Sequence, residues 1–290
     1  MASLKAIRRR IASVKSTQQI TRAMKLVAAA RLRRAQEALV AARPYSQALA
    51  RVADSLLTSE GIDIAPPEGA RKTALIAVVG SDRGLCGGYN SYLLRAAEDS
   101  LRATEREGLK AGYFAIGKKA VDHFRRDNAP ISAQSQDNLP KLATIGLARK
   151  IAARMLSDYQ TGAISEAAIV YTEFKSAISQ RPVYERLLPV VKPQSGAKDA
   201  DAQPIDYLVE PSRAELVPVV LRSYLEAAVF NALLQAEASE QGARMTAMDS
   251  ATNNAIEMIG AYTLEMNRAR QAQITRELMD IVGGAEALRG

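Results

Sequence analysis

Apolar residues at the start of the chain return at alternating steps of three and four. The series Leu4, Ile7, Ile11, Val14, Gln18, Thr21, Lys25, Ala28, Leu32, Ala35, Leu39, Ala42, Ser46, Leu49, Ala53 and Leu56 has 12 apolar members among 16. That spacing belongs to a helix with one narrow adhesive seam. The pattern predicts a helix from Ser3 to about Thr58, some ~80 Å long at ~1.5 Å per residue. A compact body of 290 residues spans only roughly 50 Å. The helix is therefore expected to project, with a partner covering its seam. Pro44 removes one backbone hydrogen bond and predicts a kink rather than an end.

A second long pattern runs from Val219 to Val282, broken only by Gly242 and Gly260. Its seam is Leu234, Ala238, Gln241, Met245, Met248, Thr252, Ala255, Ile259, Tyr262, Met266 and Ala269, nine of 11 apolar. Small residues in it let a partner approach closely. One helix enters the intervening segment and the other leaves it, so side by side they run antiparallel. The second is longer, and Ile281 and Val282 with Gly283, Gly284 and Ala285 are expected to project as an apolar tip.

Between them the period changes. Thr73 to Val79 is a continuous apolar, β-branched run, as in a strand buried on both faces. Helix over Ser91–Arg106, strand over Tyr113–Ile116, helix over Lys118–Arg126, helix from about Lys141 to Tyr159 and strand over Glu166–Thr172 follow, with Arg181–Val190 an extended edge. Alternating strands and helices predict a parallel-type sheet with right-handed crossovers. Glu60–Arg71 and Lys192–Pro211 read as a linker and a loop. The expected fold is α/β, a long antiparallel two-helix coiled coil with a small central Rossmann-like domain. Its parts are residues 1–58, 72–191 and 208–290.

Charge sharpens this picture. Residues 1–58 carry 12 Lys and Arg against Glu37 and Asp54, a net of +10, whereas residues 208–290 carry seven Arg against 11 acids, a net of −4. Opposite signs favour pairing the two ends. No run of ~18 apolar residues suggests a membrane span. One cysteine, Cys86, excludes an internal disulfide and fits a reducing compartment. With one His and one Cys, neither a zinc site nor a Cys/His nucleophile pair is expected, so no catalytic, cofactor-binding or metal residues are assigned.

The candidate motifs each have a plainer account. Gly80 to Asn90, with glycines at 80, 84, 87 and 88, lies between a strand and a helix, where phosphate loops occur. Its spacing is not G-x-G-x-x-G, and a tight turn explains it better. Gly112 to Lys119 mimics G-x4-G-K, but Lys119 replaces the Mg²⁺-ligating hydroxyl and the intervening residues are strand-like. The basic run Lys5, Arg8, Arg9, Arg10, Lys15, Arg22, Lys25, Arg31, Arg33 and Arg34 has the charge for nucleic acid or anionic lipid, and resembles a transit peptide. It lacks interleaved aromatics for base stacking and outruns a targeting segment, which favours a solvated or partner-facing helix. His123 reads as structural, Cys86 as a small packing residue, and the methionines from Met245 to Met266 as helix packing. A nucleotide-using enzyme on the α/β domain and a basic coiled-coil nucleic-acid binder are the competing classes.

Four stretches carry a resemblance: RRRIASVKSTQQITRAMKLVAA from Arg8, SDRGLCGG from Ser81, EQGARMTAM from Glu240 and ARQAQITREL from Ala269. Together they make the chain similar, over its whole length, to the gamma subunits of F-type ATP synthases. The resemblance implies a non-catalytic central-stalk rotor that passes rotation of the membrane c-ring to the catalytic beta subunits, coupling proton flow to ATP synthesis or hydrolysis. It implies partners: an alternating hexamer of alpha and beta, an epsilon subunit and the c-ring. ATP, ADP and Mg²⁺ would be bound by alpha and beta, with no cofactor here. On matching positions, Arg270, Gln271 and Thr275 would form catch contacts with beta. Met24 and Arg244 would face one another near the beta lever, with Glu277 in the same polar set and Asp280 standing where the family often has Glu. Ile281 and Val282 would form the bearing tip. A peripheral place on the cytoplasmic side of a bacterial inner membrane is expected, since no leader precedes the family's N-terminal pattern. The paired-cysteine insert of the light-regulated chloroplast type is not seen, so no thiol switch is expected.

Overall fold

The computed structural model describes residues 4–57, 65–131, 143–190, 209–210 and 212–287. In chain order the elements are α1 (Leu4–Leu57), β1 (Thr73–Val79), α2 (Tyr89–Arg106), β2 (Lys110–Ile116), α3 (Lys118–Arg126), α4 (Ile145–Gln160), β3 (Glu166–Ser176), β4 (Ser179–Leu188) and α5 (Arg213–Ala287). By contact the chain forms two compact units, Ala29–Arg244 and Met1–Ala28 with Met245–Gly290. They are called here the α/β unit and the coil unit.

The α/β unit holds a four-stranded sheet of order β2-β1-β3-β4. β1 lies parallel to both β2 and β3. Its apolar run is continuous because both faces are covered. Ala74, Ile76 and Val78 pack with Leu93, Ala97 and Phe124 of α2 and α3. Ala77 and Val79 point the other way, onto Ile151 and Met155 of α4 and onto Leu225, Val229 and Leu233 of α5. Each large aliphatic side chain so buried contributes ~1.5–3 kcal/mol.

The sheet is mixed, which corrects the parallel expectation. β3 runs past Thr172 to Ser176 and β4 returns against it antiparallel. A direct hairpin needs no crossover helix. β4 includes Pro182, Arg181, Glu185 and Arg186, residue types that an edge strand tolerates and a central one does not.

Helix starts shift for local reasons. α4 begins at Ile145 because the Thr144 hydroxyl accepts from the Leu147 N–H at 3.3 Å, an N-cap; Lys141 lies outside the described residues. α5 begins at Arg213, six residues before the expected start. Ser212 caps it, its Oγ accepting from the Glu215 N–H at 3.3 Å and donating to the Glu215 carboxylate at 3.0 Å, close to a capping box. Pro218 then falls inside α5, as Pro44 does inside α1 without ending it. Gly242 does not break α5. A Cβ there would meet Phe174 at 3.3 Å and the Ala177 Cα at 3.4 Å, so glycine lets the β3–β4 hairpin sit against the helix.

In the coil unit, α1 and α5 run antiparallel. Lys25 Nζ lies 2.6 Å from Asp249 Oδ1, and the Thr252 hydroxyl is 2.8 Å from that of Thr21. Ile7, Thr21, Ala28, Met248 and Ala255 are buried. Along both helices, in the two units together, all 16 seam residues read from α1 and all 11 from α5 are buried or half-buried. By length and composition alone α5 is long and apolar enough to cross a membrane, which the sequence reading did not allow for. Core helices pass the same test, and the α5 stretch from Leu221 to Ala236 lies in the sheet's core.

Candidate partner-contact sites

The glycine loop is built as a closed turn. Gly80 ends β1, where a Cβ would meet the Ala120 Cβ at 2.9 Å, so strand and α3 can approach only without a side chain. Ser81 is fully buried and its N–H and Oγ both meet Asn90 Oδ1, at 3.2 and 3.0 Å. Asp82 accepts from the Lys118 N–H at 3.0 Å, supplying a cap that Gly117 cannot. Leu85 and Gly87 take positive φ, 62° and 57°. Asn90 Nδ2 lies 3.3 Å from Cys86 Sγ, and burial pushes the Cys86 thiol up. Ser81, Cys86 and Asn90 are engaged within this turn and Asp82 with Lys118, while Arg83 and Leu85 are exposed.

One cation of α5 joins this loop. Arg244, its side chain 10% exposed, places Nη1 2.6 Å from Glu240 Oε1. Its Nη2 donates to the carbonyls of Arg83 and Gly84 at 3.3 and 3.4 Å. Burial pushes the Glu240 carboxyl up, and Arg244 opposes the push. The Tyr89 hydroxyl, also raised by burial, lies 3.4 Å from the carbonyls of Val79 and Ala236. α5 is thereby clamped to the loop and to the end of β1.

The coil unit presents the opposite character. The register set by Lys25–Asp249 and Thr21–Thr252 carries the start of α1 at Leu4 to the level of Ala269 and Arg270. From Arg270 to Ala285 every residue is exposed. Arg270, Gln271, Thr275, Glu277 and Asp280 lie on this stretch, and Glu277 accepts from Gln273 Nε2 at 2.8 Å. Ile281 and Val282 are 68% and 60% exposed. Met24, on α1, is half-buried.

The family profile described as ATP synthase matches residues 3–288. The chain is 46% identical to the ATP synthase gamma chain of Moorella thermoacetica over the full length of both. It is 43% identical to that of Rhizobium etli, covering 99% of this chain and all of the relative. The chain belongs to the ATP synthase gamma-chain family. Chains of the Euglena gracilis mitochondrial ATP synthase share the fold. One, from the rotor in rotational state 1, has a TM-score of 0.65 at 23% identity over 93% of this chain and 98% of its own. Another, from an OSCP/F1/c-ring assembly in rotational state 3, has a TM-score of 0.66 at 20% identity over 98% and 94%.

The gamma-family residues named from sequence divide between the two units. Arg244 sits in the α/β unit, engaged by its own chain; Met24 and the set from Arg270 to Val282 sit in the coil unit. Sequence reasoning passed over Ile274, Leu278 and Met279, exposed by 49%, 57% and 67%, although their spacing continues the apolar surface of the tip. It also passed over Leu85, Tyr92 and Ile178, large apolar side chains 64%, 65% and 83% exposed on the α/β unit. His123, read as structural, has Nε2 2.8 Å from Glu98 Oε1 and 3.4 Å from Asp127 Oδ2. Glu98 arrives from another helix, and a local reading has no signal for it.

Proposed function

We propose that this chain is the central-stalk rotor subunit of an F-type ATP synthase and is itself non-catalytic. It passes rotation of the c-ring to the beta subunits of an alternating alpha/beta hexamer, so that proton flow drives ATP synthesis, or hydrolysis drives the reverse. The observation that carries the reading is the exposed helical end from Arg270 to Ala285, which α1 does not cover. A shaft that turns in a ring needs contact without fixed bonds, and apolar burial is non-directional. Leu278, Met279, Ile281 and Val282 supply such contact. Arg270, Gln271, Thr275, Glu277 and Asp280 add polar groups that meet beta in some orientations and not others. Each orientation then biases a different catalytic site by as much as its contacts differ.

Met24 belongs to the same contact set, and Arg244 joins it through the loop it holds. The α/β unit meets the c-ring and an epsilon subunit, for which the exposed Leu85, Tyr92 and Ile178 are the contact candidates. Nucleotide and Mg²⁺ stay with alpha and beta, and the assembly lies peripherally on the cytoplasmic side of a bacterial inner membrane. Support comes from gamma-chain membership and from the likeness in fold to the Euglena gracilis rotor chain.

The test is made in the assembled complex. Removing residues 279–290 should leave the chain co-purifying with a nucleotide-binding hexamer while ATP-driven proton pumping falls several-fold. Full coupling after removal of everything from Arg270 onward would overturn the reading, as would failure of the intact chain to bring down a hexamer.

A further inference from the structure

We propose that Glu98, His123 and Asp127 form a binding site for a divalent transition metal of the zinc class on the flank of the α/β unit. The inference is independent of the rotor reading. Three elements of chemistry converge there. His123 and Asp127 are four residues apart at the end of α3, the spacing that puts two side chains on one helical face. The Asp127 N–H still bonds the His123 carbonyl at 3.1 Å, so helical geometry holds between them. Glu98 comes across from α2 with Oε1 2.8 Å from His123 Nε2, and Asp127 Oδ2 lies 3.4 Å from the same nitrogen. All three donor atoms fall within 4.8 Å of one another.

These separations suit one ion. Zinc binds imidazole nitrogen and carboxylate oxygen at ~2.0–2.2 Å, and in a tetrahedron that sets neighbouring donors ~3.3–3.5 Å apart. The His123–Asp127 separation already matches, and the His123–Glu98 pair needs to open by about half an ångström, within reach of a Glu rotamer. Without the ion, the same nitrogen serves both carboxylates.

The surroundings favour the site. The other oxygen of Glu98, Oε2, lies 3.6 Å from Arg102 Nη2, a long ion pair that Arg102 shares with Asp99 at 3.5 Å. An outer partner of this kind orients a ligating carboxylate. The imidazole plane is backed by Phe124, whose ring meets it edge-on at 5.3 Å, and Phe124 stacks on Tyr113 at 3.9 Å. A cavity of about 210 Å³ beside the cluster is lined by Glu98, Asp127 and Arg102 together with the apolar Leu101, Tyr113, Phe124 and Ala129. It leaves room for water or an exogenous ligand to complete the coordination, the open position of a three-donor site. The ion would tie α2 to α3.

The experiment uses the full chain without a tag, stripped by chelator and titrated with Co²⁺, whose visible absorption reports coordination, followed by Zn²⁺ displacement. One Co²⁺ per chain should bind saturably in the micromolar range, and Zn²⁺ should raise the melting temperature. Asp127→Asn, at an exposed position, should weaken binding by at least about tenfold; His123→Asn should abolish it; Glu105→Gln, on the same helix as Glu98 but outside the cluster, should change nothing. If His123→Asn fails to fold, Asp127→Asn decides alone. No saturable uptake below millimolar Co²⁺ by the folded wild type would overturn the proposal, as would uptake unchanged in the folded variants.

Discussion

The two units bury side chains in different ways. The α/β unit closes two layers of helices over one sheet, with Ile76, Leu93, Ile116, Ile151, Ile169 and Leu225 each 1% exposed or less. The coil unit buries only single residues along a seam, Ile7, Thr21, Ala28, Met248 and Ala255, and leaves Ile20, Leu26, Val27 and Leu264 more than half exposed. In the first, stability is spread over interlocked layers. In the second it rests on a line of contacts, and the exposed side chains around that line are free to meet other molecules. Both units take in parts of α1 and α5, and one of them adds a sheet and three further helices.

The sharpest test of the contrast is Arg244→Ala. It strands a Glu240 side chain that is 18% exposed, and breaking a buried ion pair costs ~3–5 kcal/mol. The loss should depend on pH. Burial raises the Glu240 carboxyl and Arg244 lowers it, so removing Arg244 raises it further. A carboxyl raised on folding is unpenalised below its unfolded value and loses stability as pH rises through the folded one. The deficit should therefore be greatest at neutral pH and shrink on acidification, read by denaturant melts across pH. Next comes Leu225→Ala, in the fully buried layer, with an expected loss of ~2–5 kcal/mol by the same melts.

Smaller effects follow. Thr144→Ala removes the α4 cap and should cost ~1 kcal/mol. Least of all is Lys25→Met in the coil unit. Its pair with Asp249 has side chains 40% and 46% exposed, so ~0.2–1 kcal/mol is expected, shrinking in high salt. Were Lys25→Met to cost as much as Leu225→Ala, the contrast between layered and linear packing would fail.

The coil was legible in the sequence because its rule is local. A three-and-four step repeated through α1 placed Gln18, Thr21, Lys25 and Ser46 in the seam despite their polarity, and the structure buries or half-buries each. β1 and α3 were legible for related reasons, a continuous apolar run and a strongly two-faced helix. The hairpin of β3 and β4 was less so. Glu173 and Lys175 looked like the end of a strand, yet antiparallel pairing extends β3 to Ser176 with one face toward solvent. The start of α5 was missed because Pro218 looked like a boundary, while Ser212 and Glu215 supplied a stronger one upstream. Among the candidate sites, the exposed tip followed from relative helix length. The clamp of Arg244 on Arg83 and Gly84 joins residues 161 and 160 positions apart, and Glu98 reaches His123 across 25.

The seam's seven-residue repeat has a mechanical corollary. A straight helix drifts ~20° per heptad away from such a pattern, so two helices that keep it must wind about each other with a left-handed twist. A wound pair is chiral under load: torque of one sense tightens the rope and the opposite sense loosens it. If this pair is driven in both directions, its torsional stiffness will differ between them, an asymmetry written into the spacing of Ile7, Thr21 and Ala28.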